Sequence, residues 1–362
     1  MKYGYIIAGL LGASVLWGQM LEMSSEWLEA EDVRLMTGSV SGKMELSEGL
    51  ELRTEWAFNS IDFDYRPDPI DFSQMGGERN EENQAVSLRL RKELGKWRIE
   101  GTGTYYRGYR SLSDAWLDEF YGQKYGANVL PGVHYEVIEP RGYGGTVSTR
   151  WEYLKSTGYV SLGLGMIQDR VAPSYEIDDL LTSFELVRGD QHLSTLLAHL
   201  TFENVVTKRI RVRHAFSLTD TSTRDVRLGW TGDLLIALGD DWFVRTSGSY
   251  NEEGTTFISR AISQSVEYSI GGGWSIGVRG RYYEDTGQIE TALASSAAPA
   301  LITRELSATV RWISEGERWQ LMLSGGSYRT RYDPIGLGTA EFVHLYADRN
   351  WTLVRSAVTY TF

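Results

Sequence analysis

The chain has no cysteine among its 362 residues. That excludes a disulfide framework, thiol catalysis, cysteine-ligated metal and anchoring through a lipidated cysteine. Proline is scarce, at 7 residues, so little interrupts extended backbone. Excess positive charge is missing as well: the formal net charge of -12 argues against nucleic acid as a partner. Beyond residue 17 no apolar run is long enough for a transmembrane helix. The mean hydropathy of -0.29 looks like that of a soluble chain. Neither Gly-x-Ser-x-Gly nor His-Glu-x-x-His occurs. The histidines, His134, His192, His199, His214 and His344, are scattered. No enzyme, cofactor or metal site is expected.

What is abundant is aromatic: 12 Trp and 21 Tyr, beside 39 Gly. Few prolines and many Tyr and Trp favour continuous strands. From Leu50 onward strand-like runs alternate with connections of two kinds. Short turns fall at 95–96, 155–158, 204–208, 239–241, 271–273 and 314–317. Long connections fall at about 59–83, 108–143, 168–191, 219–225, 251–260, 284–303 and 328–350. The two kinds never swap places. An up-and-down barrel has this asymmetry because its two rims face different compartments, whereas a Greek-key sandwich has no reason to keep it. The runs number about fourteen, each of the 9–11 residues that cross a bilayer at a tilt. Twelve to sixteen remain open, and 342–346 suits either a separate strand or an extension of the last one.

One face of these runs is apolar, as in Val86, Leu88 and Leu90, or Trp274, Ile276 and Val278. Trp97, Trp242, Trp274 and Trp319 each follow a short turn, the position an interface girdle takes. Tyr159 falls out of phase with Val160, Leu162 and Leu164. The last run, Trp351–Phe362, alternates too, with Phe362, Tyr360, Val358 and Val354 on one side. A chain that stops on Phe inside such a strand resembles the C-terminal signature of bacterial outer-membrane β-barrels. The resemblance is to the class, over the whole mature chain, and to no specific family. It implies an all-β antiparallel transmembrane barrel in the Gram-negative outer membrane, surrounded by its lipid. It also implies that Phe362 and Tyr360 are read by the barrel assembly machinery.

The beginning fits export. Met1 to Trp17 carries a basic residue and a short apolar run, so residues 1–18 are expected to be a signal peptide. Residues 19–48 are acidic and weakly patterned, with Glu22, Glu26, Glu29, Glu31 and Asp32. They are expected to form a periplasmic segment, although Val33 to Leu46 also suits an extra strand or a plug. Residues 49–362 are then the barrel, with both termini in the periplasm.

The face opposite the apolar one would line the lumen. It carries Arg53, Arg89, Arg91, Arg98 and Arg150, then Arg211, Arg213, Arg227 and Arg245, then Arg279, Arg281, Arg311 and Arg355. Acids interleave at Glu51, Glu55, Glu93, Glu100, Glu152, Glu267 and Glu305. Such a wall either favours anions in a wet path or fills the lumen with ion pairs. The sharpest case is Arg211/Arg213, with Glu203 and Asp233 as the acids within reach on neighbouring strands. Ser113-Asp-Ala-Trp-Leu-Asp-Glu-Phe120 has a capping residue and first-turn acids, predicting a short helix in the 108–143 loop. Both an inward constriction and an outer cap suit it. Glu176, Asp178, Asp179 and Glu185 lack the pattern of a dedicated calcium loop.

The expected function is a passive porin-like channel for small polar or anionic solutes. A second possibility is a fatty-acid-transporter-like barrel for hydrophobic compounds, although that family's early Asn-Pro-Gly-Phe motif is missing here. The third is a non-conducting structural or surface barrel.

Overall fold

The computed structural model describes residues 20–66, 76–109, 112–126, 134–137, 139–170, 175–178, 192–222, 224–255, 257–287, 299–333 and 344–361. The expected leader and Phe362 lie outside them. The strands are β1 (Met20–Glu29), β2 (Val33–Ser47), β3 (Leu50–Tyr65), β4 (Gly77–Leu94), β5 (Trp97–Gly108), β6 (His134–Val137), β7 (Arg141–Leu154), β8 (Gly158–Arg170) and β9 (Tyr175–Asp178). They continue as β10 (His192–Thr207), β11 (Ile210–Thr221), β12 (Arg227–Leu238), β13 (Trp242–Glu253), β14 (Phe257–Gly271), β15 (Trp274–Asp285), β16 (Leu301–Ile313), β17 (Trp319–Tyr332) and β18 (Arg349–Thr361). Helix α1 (Leu112–Gly126) stands between β5 and β6. All but β6 and β9 form one closed barrel, in which β1 pairs with β18. The short strands β6 and β9 pair with each other and tie two long loops together.

Closure comes from an antiparallel ladder in which Met20 opposes Thr361 and Glu29 opposes Thr352. Met20 and Thr361, the first and last described residues, therefore sit at the rim of the short turns. Two-residue turns there use left-handed glycines, as at Gly95 with φ 63°. At Ser156, a non-glycine with φ 59°, the backbone N–H donates to the Glu152 carboxylate.

Alternation divides each strand between two environments. Leu88, Val147, Leu164, Leu306 and Leu323 share the outward face by register and are each about half exposed or more. Such a continuous apolar exterior on a closed barrel suits lipid. At the short-turn rim the outward aromatics pair across strands: Trp97 with Trp151, Trp242 with Tyr268, Trp274 with Trp312, and Trp319 with Tyr360. Among the described residues no helix is long and apolar enough to cross a membrane.

Sixteen strands close the barrel, where the sequence pattern counts about fourteen. The two more are β1 and β2, in the stretch expected to be a periplasmic segment. Their alternation is thin, because Gly38 and Gly42 fall on the outward face and Val33 and Leu35 turn inward. The 30–32 turn between them is short yet lies at the long-loop rim. Several expected loop residues belong to strands, since β3 runs to Tyr65 and β4 begins at Gly77. Residues 344–346 form a turn, not a strand. Tyr159 is out of phase with Val160, Leu162 and Leu164 because it faces the lumen, where the Arg150 guanidinium lies 3.8 Å from its ring centroid.

Candidate functional site: a lumen filled on one side

Register places every arginine named above on the inward face. Most meet carboxylates there. Arg89 reaches Glu100 at 3.4 Å, and Arg91 and Arg98 share Glu93 at 2.7 and 2.6 Å. Arg150 and Arg211 share Glu203, while Arg245 takes Asp233 at 2.9 Å. Arg227 pairs with Glu253 at 2.6 Å and Arg311 with Glu267 at 3.3 Å. Two of the partners come from the N-terminal stretch. Glu22 pairs with Arg53 at 3.1 Å and Glu26 with Arg355 at 2.8 Å. Two of the acids that marked this stretch as periplasmic, Glu22 and Glu26, are thus counter-ions of the lumen wall, whereas Glu29 faces outward and pairs with Arg34.

Arg355 also reaches across β17 to Glu305 at 3.1 Å. Glu305 has a fully buried side chain, and its Oε2 has no hydrogen-bond partner. Below this cluster a cavity of about 360 Å³ is lined by Ser24, Glu26, Thr37, Ser39 and Arg355.

Three inward arginines have no carboxylate within 4.0 Å among the described residues: Arg213, Arg279 and Arg281. Glu203 and Asp233 stand opposite Arg213 in register, yet they pair with its neighbours. Arg279 is flanked by Ser265 and Ser307, and Arg281 by Ser263 and Glu305. Glu305 is engaged by Arg355 instead. The arginine pair that most lacks compensation is therefore Arg279/Arg281, not Arg211/Arg213.

The loop that the sequence left unplaced decides the shape of the lumen. Helix α1 packs Ala115, Trp116, Leu117 and Phe120, each about 2% exposed, against Val33, Ile61, Phe63, Tyr65 and Trp351. Those wall residues all point inward by register. Trp116 lies 5.2 Å from Tyr65 and 5.5 Å from Phe120, ring centre to ring centre. Burying each of these aromatics contributes about 2–3 kcal/mol. Arg79 of β4 pins the helix through Glu119 at 2.6 Å. Arg349 holds the 344–346 turn by its carbonyls and Asp32 at 3.0 Å. The helix thus seats inside the mouth of the barrel, against the β18–β3 wall.

At its centre Asp118 is 1% exposed; its Oδ2 accepts the Tyr109 hydroxyl, and its Oδ1 has no partner. Burial pushes its carboxyl up to about 7, aided by Glu81, Glu119 and Asp114, while the Tyr109 hydroxyl pulls the other way. The seat leaves a signature in the sequence: along β3 the apolar phase flips from Trp56 and Phe58 outward to Ile61, Phe63 and Tyr65 inward.

The opposite wall is open. At mid-strand His199, Ser217 and Thr231 are exposed, as are Arg211, Arg213 and Arg245 nearer the short turns. His199 lies over Gly163, where a Cβ would collide with its ring, and among the described residues it makes no hydrogen bond to Ser217. His214 faces outward and stacks on Trp230 at 6.0 Å. No described group of three or more His, Asp or Glu is placed to hold a metal. Glu176 and Asp178 lie in β9; Asp179 and Glu185 lie outside the described residues.

No family model and no curated protein matches the sequence. Among solved structures, CdiB from Acinetobacter baumannii is similar with a TM-score of 0.56 at 7% identity, over 94% of this chain. This chain spans only 60% of the length of that one. A bacterial polysaccharide outer membrane secretin is similar with a TM-score of 0.51 at 9% identity, over 95% of this chain and 98% of that one. Likeness at such identity is likeness of fold. With the closed antiparallel barrel and its apolar exterior, it gives this chain the fold of the bacterial outer-membrane β-barrels.

Proposed function

We propose that the barrel is a passive channel for small polar or anionic solutes, conducting along the side of the lumen opposite α1. The observation that carries this is Arg213, Arg279 and Arg281, which lack acidic partners in a wall whose other arginines are paired. Arg279 and Arg281 are two apart on one strand, so their Cβ atoms lie about 7 Å apart on one face. Like charges that close need water or an anion beside them. Ser263 and Ser265, opposite them on β14, supply neutral hydroxyls to the same path. Arg89, Arg150, Arg211 and Arg245 add a field that their carboxylates only partly cancel.

The test is the reversal potential of the purified chain in planar bilayers under a salt gradient. Wild type is expected to prefer anions. Replacing Arg213, Arg279 and Arg281 together by Gln should move the reversal potential toward zero with the barrel still folded. An unmoved potential in a conducting variant would remove these residues from the path. The filled β18–β3 side supports a second reading, a non-conducting structural barrel, which absence of any conductance would favour. The proposal also takes β18, ending beyond Tyr360, as the strand met by the assembly machinery. Charge replacement at Phe362 is expected to lower the yield of folded barrel and leave conductance per channel unchanged.

A further inference from the structure

Above the apolar exterior the long-loop rim carries two unlike stretches. On β3 and β4 the outward residues are acidic: Asp62, Asp64, Glu78 and Glu82. On β14, β16 and β17 they are basic. Arg260 follows the phase of Ile262, Arg304 that of Leu306, and Arg329 and Arg331 that of Leu323, all outward. Those apolar residues are 55, 63 and 59% exposed; Ile262 and Leu306 lie directly below Arg260 and Arg304, and on β17 Gly325 and Ser327 stand between Leu323 and Arg329. All four arginines are exposed.

Arg304 and Arg329 are directly opposed across β16 and β17, and Arg331 opposes Ile302 one step further up. Like charges directly opposite each other on a sheet are unfavourable unless something compensates them. The protein supplies little. Glu284 lies 3.8 Å from Arg260, and its carboxylate also accepts the Tyr282 hydroxyl at 2.7 Å. The Arg304 guanidinium lies 5.9 Å from the Tyr282 ring centroid. No described carboxylate comes within 4.0 Å of Arg304, Arg329 or Arg331. Most lumen arginines are paired, so this is no general surplus.

We infer that this patch binds the phosphate groups of a phosphorylated, acylated glycolipid in the outer leaflet, with acyl chains lying along Ile262, Leu306 and Leu323. Guanidinium groups grip phosphate oxygens in pairs and keep their charge at the membrane surface. Spacings of about 5 Å across the strands and about 7 Å along them let two guanidinium groups share one phosphate. The source is membrane lipid rather than free phosphate, because the arginines stand on a convex outer wall continuous with the apolar band. The inference rests on the membrane placement of the barrel and is independent of the channel proposal.

The test uses the full chain in nanodiscs of zwitterionic phospholipid, doped with a doubly phosphorylated acylated disaccharide or its dephosphorylated form. Native mass spectrometry reads the lipid retained. Wild type is expected to retain the phosphorylated form, and R304Q/R329Q/R331Q to lose roughly tenfold or more of it. Heat-modifiable migration checks that the variant is folded; if it is not, R329Q/R331Q replaces it, with R329K/R331K expected to keep most binding. Equal retention by wild type and folded Gln variants would overturn the inference. So would equal retention of the dephosphorylated lipid, or displacement of the bound lipid by millimolar inorganic phosphate.

Discussion

At mid-height the two sides of the lumen differ in what their inward side chains meet. On β16 and β17 Glu305, Ser307 and Ser324 are each 4% exposed or less, and on β18 Leu353 is fully buried. On β10, β11 and β12 the corresponding His199, Ser217 and Thr231 are exposed. Both sides come from strands with the same period and the same lipid-facing exterior. At the mouth that side is filled by α1 and the 344–346 turn, and at mid-height Arg355 ties Glu26 to the buried Glu305. A barrel wall thus has two independent chemistries: the exterior is set by lipid, the interior by whatever fills it.

The strongest way to break that contrast is to remove the helix. Replacing residues 110–140 by a short Gly/Ser connector should expose Ile61, Phe63 and Tyr65 and open the filled side. Single-channel conductance is expected to rise roughly twofold, as the open cross-section grows. Unchanged conductance in a folded variant would mean that α1 does not obstruct the path.

Next in size is the polar tie of the filled side. Arg355 holds Glu26 and Glu305 together, and the Glu305 side chain is fully buried. Arg355→Met leaves a buried carboxylate without its cation, a loss of about 3–5 kcal/mol. The urea midpoint should fall accordingly. Adding Glu26→Gln and Glu305→Gln should restore most of it, which a general packing defect would not allow.

The contrast also explains what could be read from the sequence. Alternation found the strands that face water on the inside, because polar-in, apolar-out is the simple barrel pattern. It failed for β1 and β2, and for the ends of β3 and β18, where Val33, Leu35, Ile61, Phe63, Trp351 and Leu353 turn inward toward an apolar plug. There both faces carry apolar residues, so period-two contrast fades. The arginines could be assigned to their face from phase alone. Their partners could not, because Glu26 and Arg355 are brought together only by closure of β1 on β18. The helix was legible from its capping residue and acids; its seat was not, since no local pattern says which wall it meets.

Acidity should loosen or tighten the filled side in a predictable direction. Asp118, at about 7, sits well above the ordinary carboxylate range because it is buried beside other acids. The seated helix therefore favours the protonated form. Its seating is strongest below about pH 4, weakens as pH rises toward 7, and is level above that. Limited proteolysis within 108–143 should accelerate over that window. Asp118→Asn should flatten the dependence; an identical profile in the variant would assign it to another group.

The smallest effect is expected from the analogous ion pair on the open side. Arg245 and Asp233 are 2.9 Å apart, much like Arg355 and Glu26, but the Arg245 side chain is 58% exposed. Water can solvate whichever partner remains. Asp233 also keeps the Ser247 hydroxyl at 2.6 Å and the charge of Arg213 on the adjoining strand. Arg245→Gln should therefore cost under about 1 kcal/mol, the usual worth of an exposed pair. The two arginines are chemically alike and both face the lumen, so their difference in urea midpoint measures how dry each side is. Equal losses for Arg355→Met and Arg245→Gln would mean that the filled side is as wet as the open one.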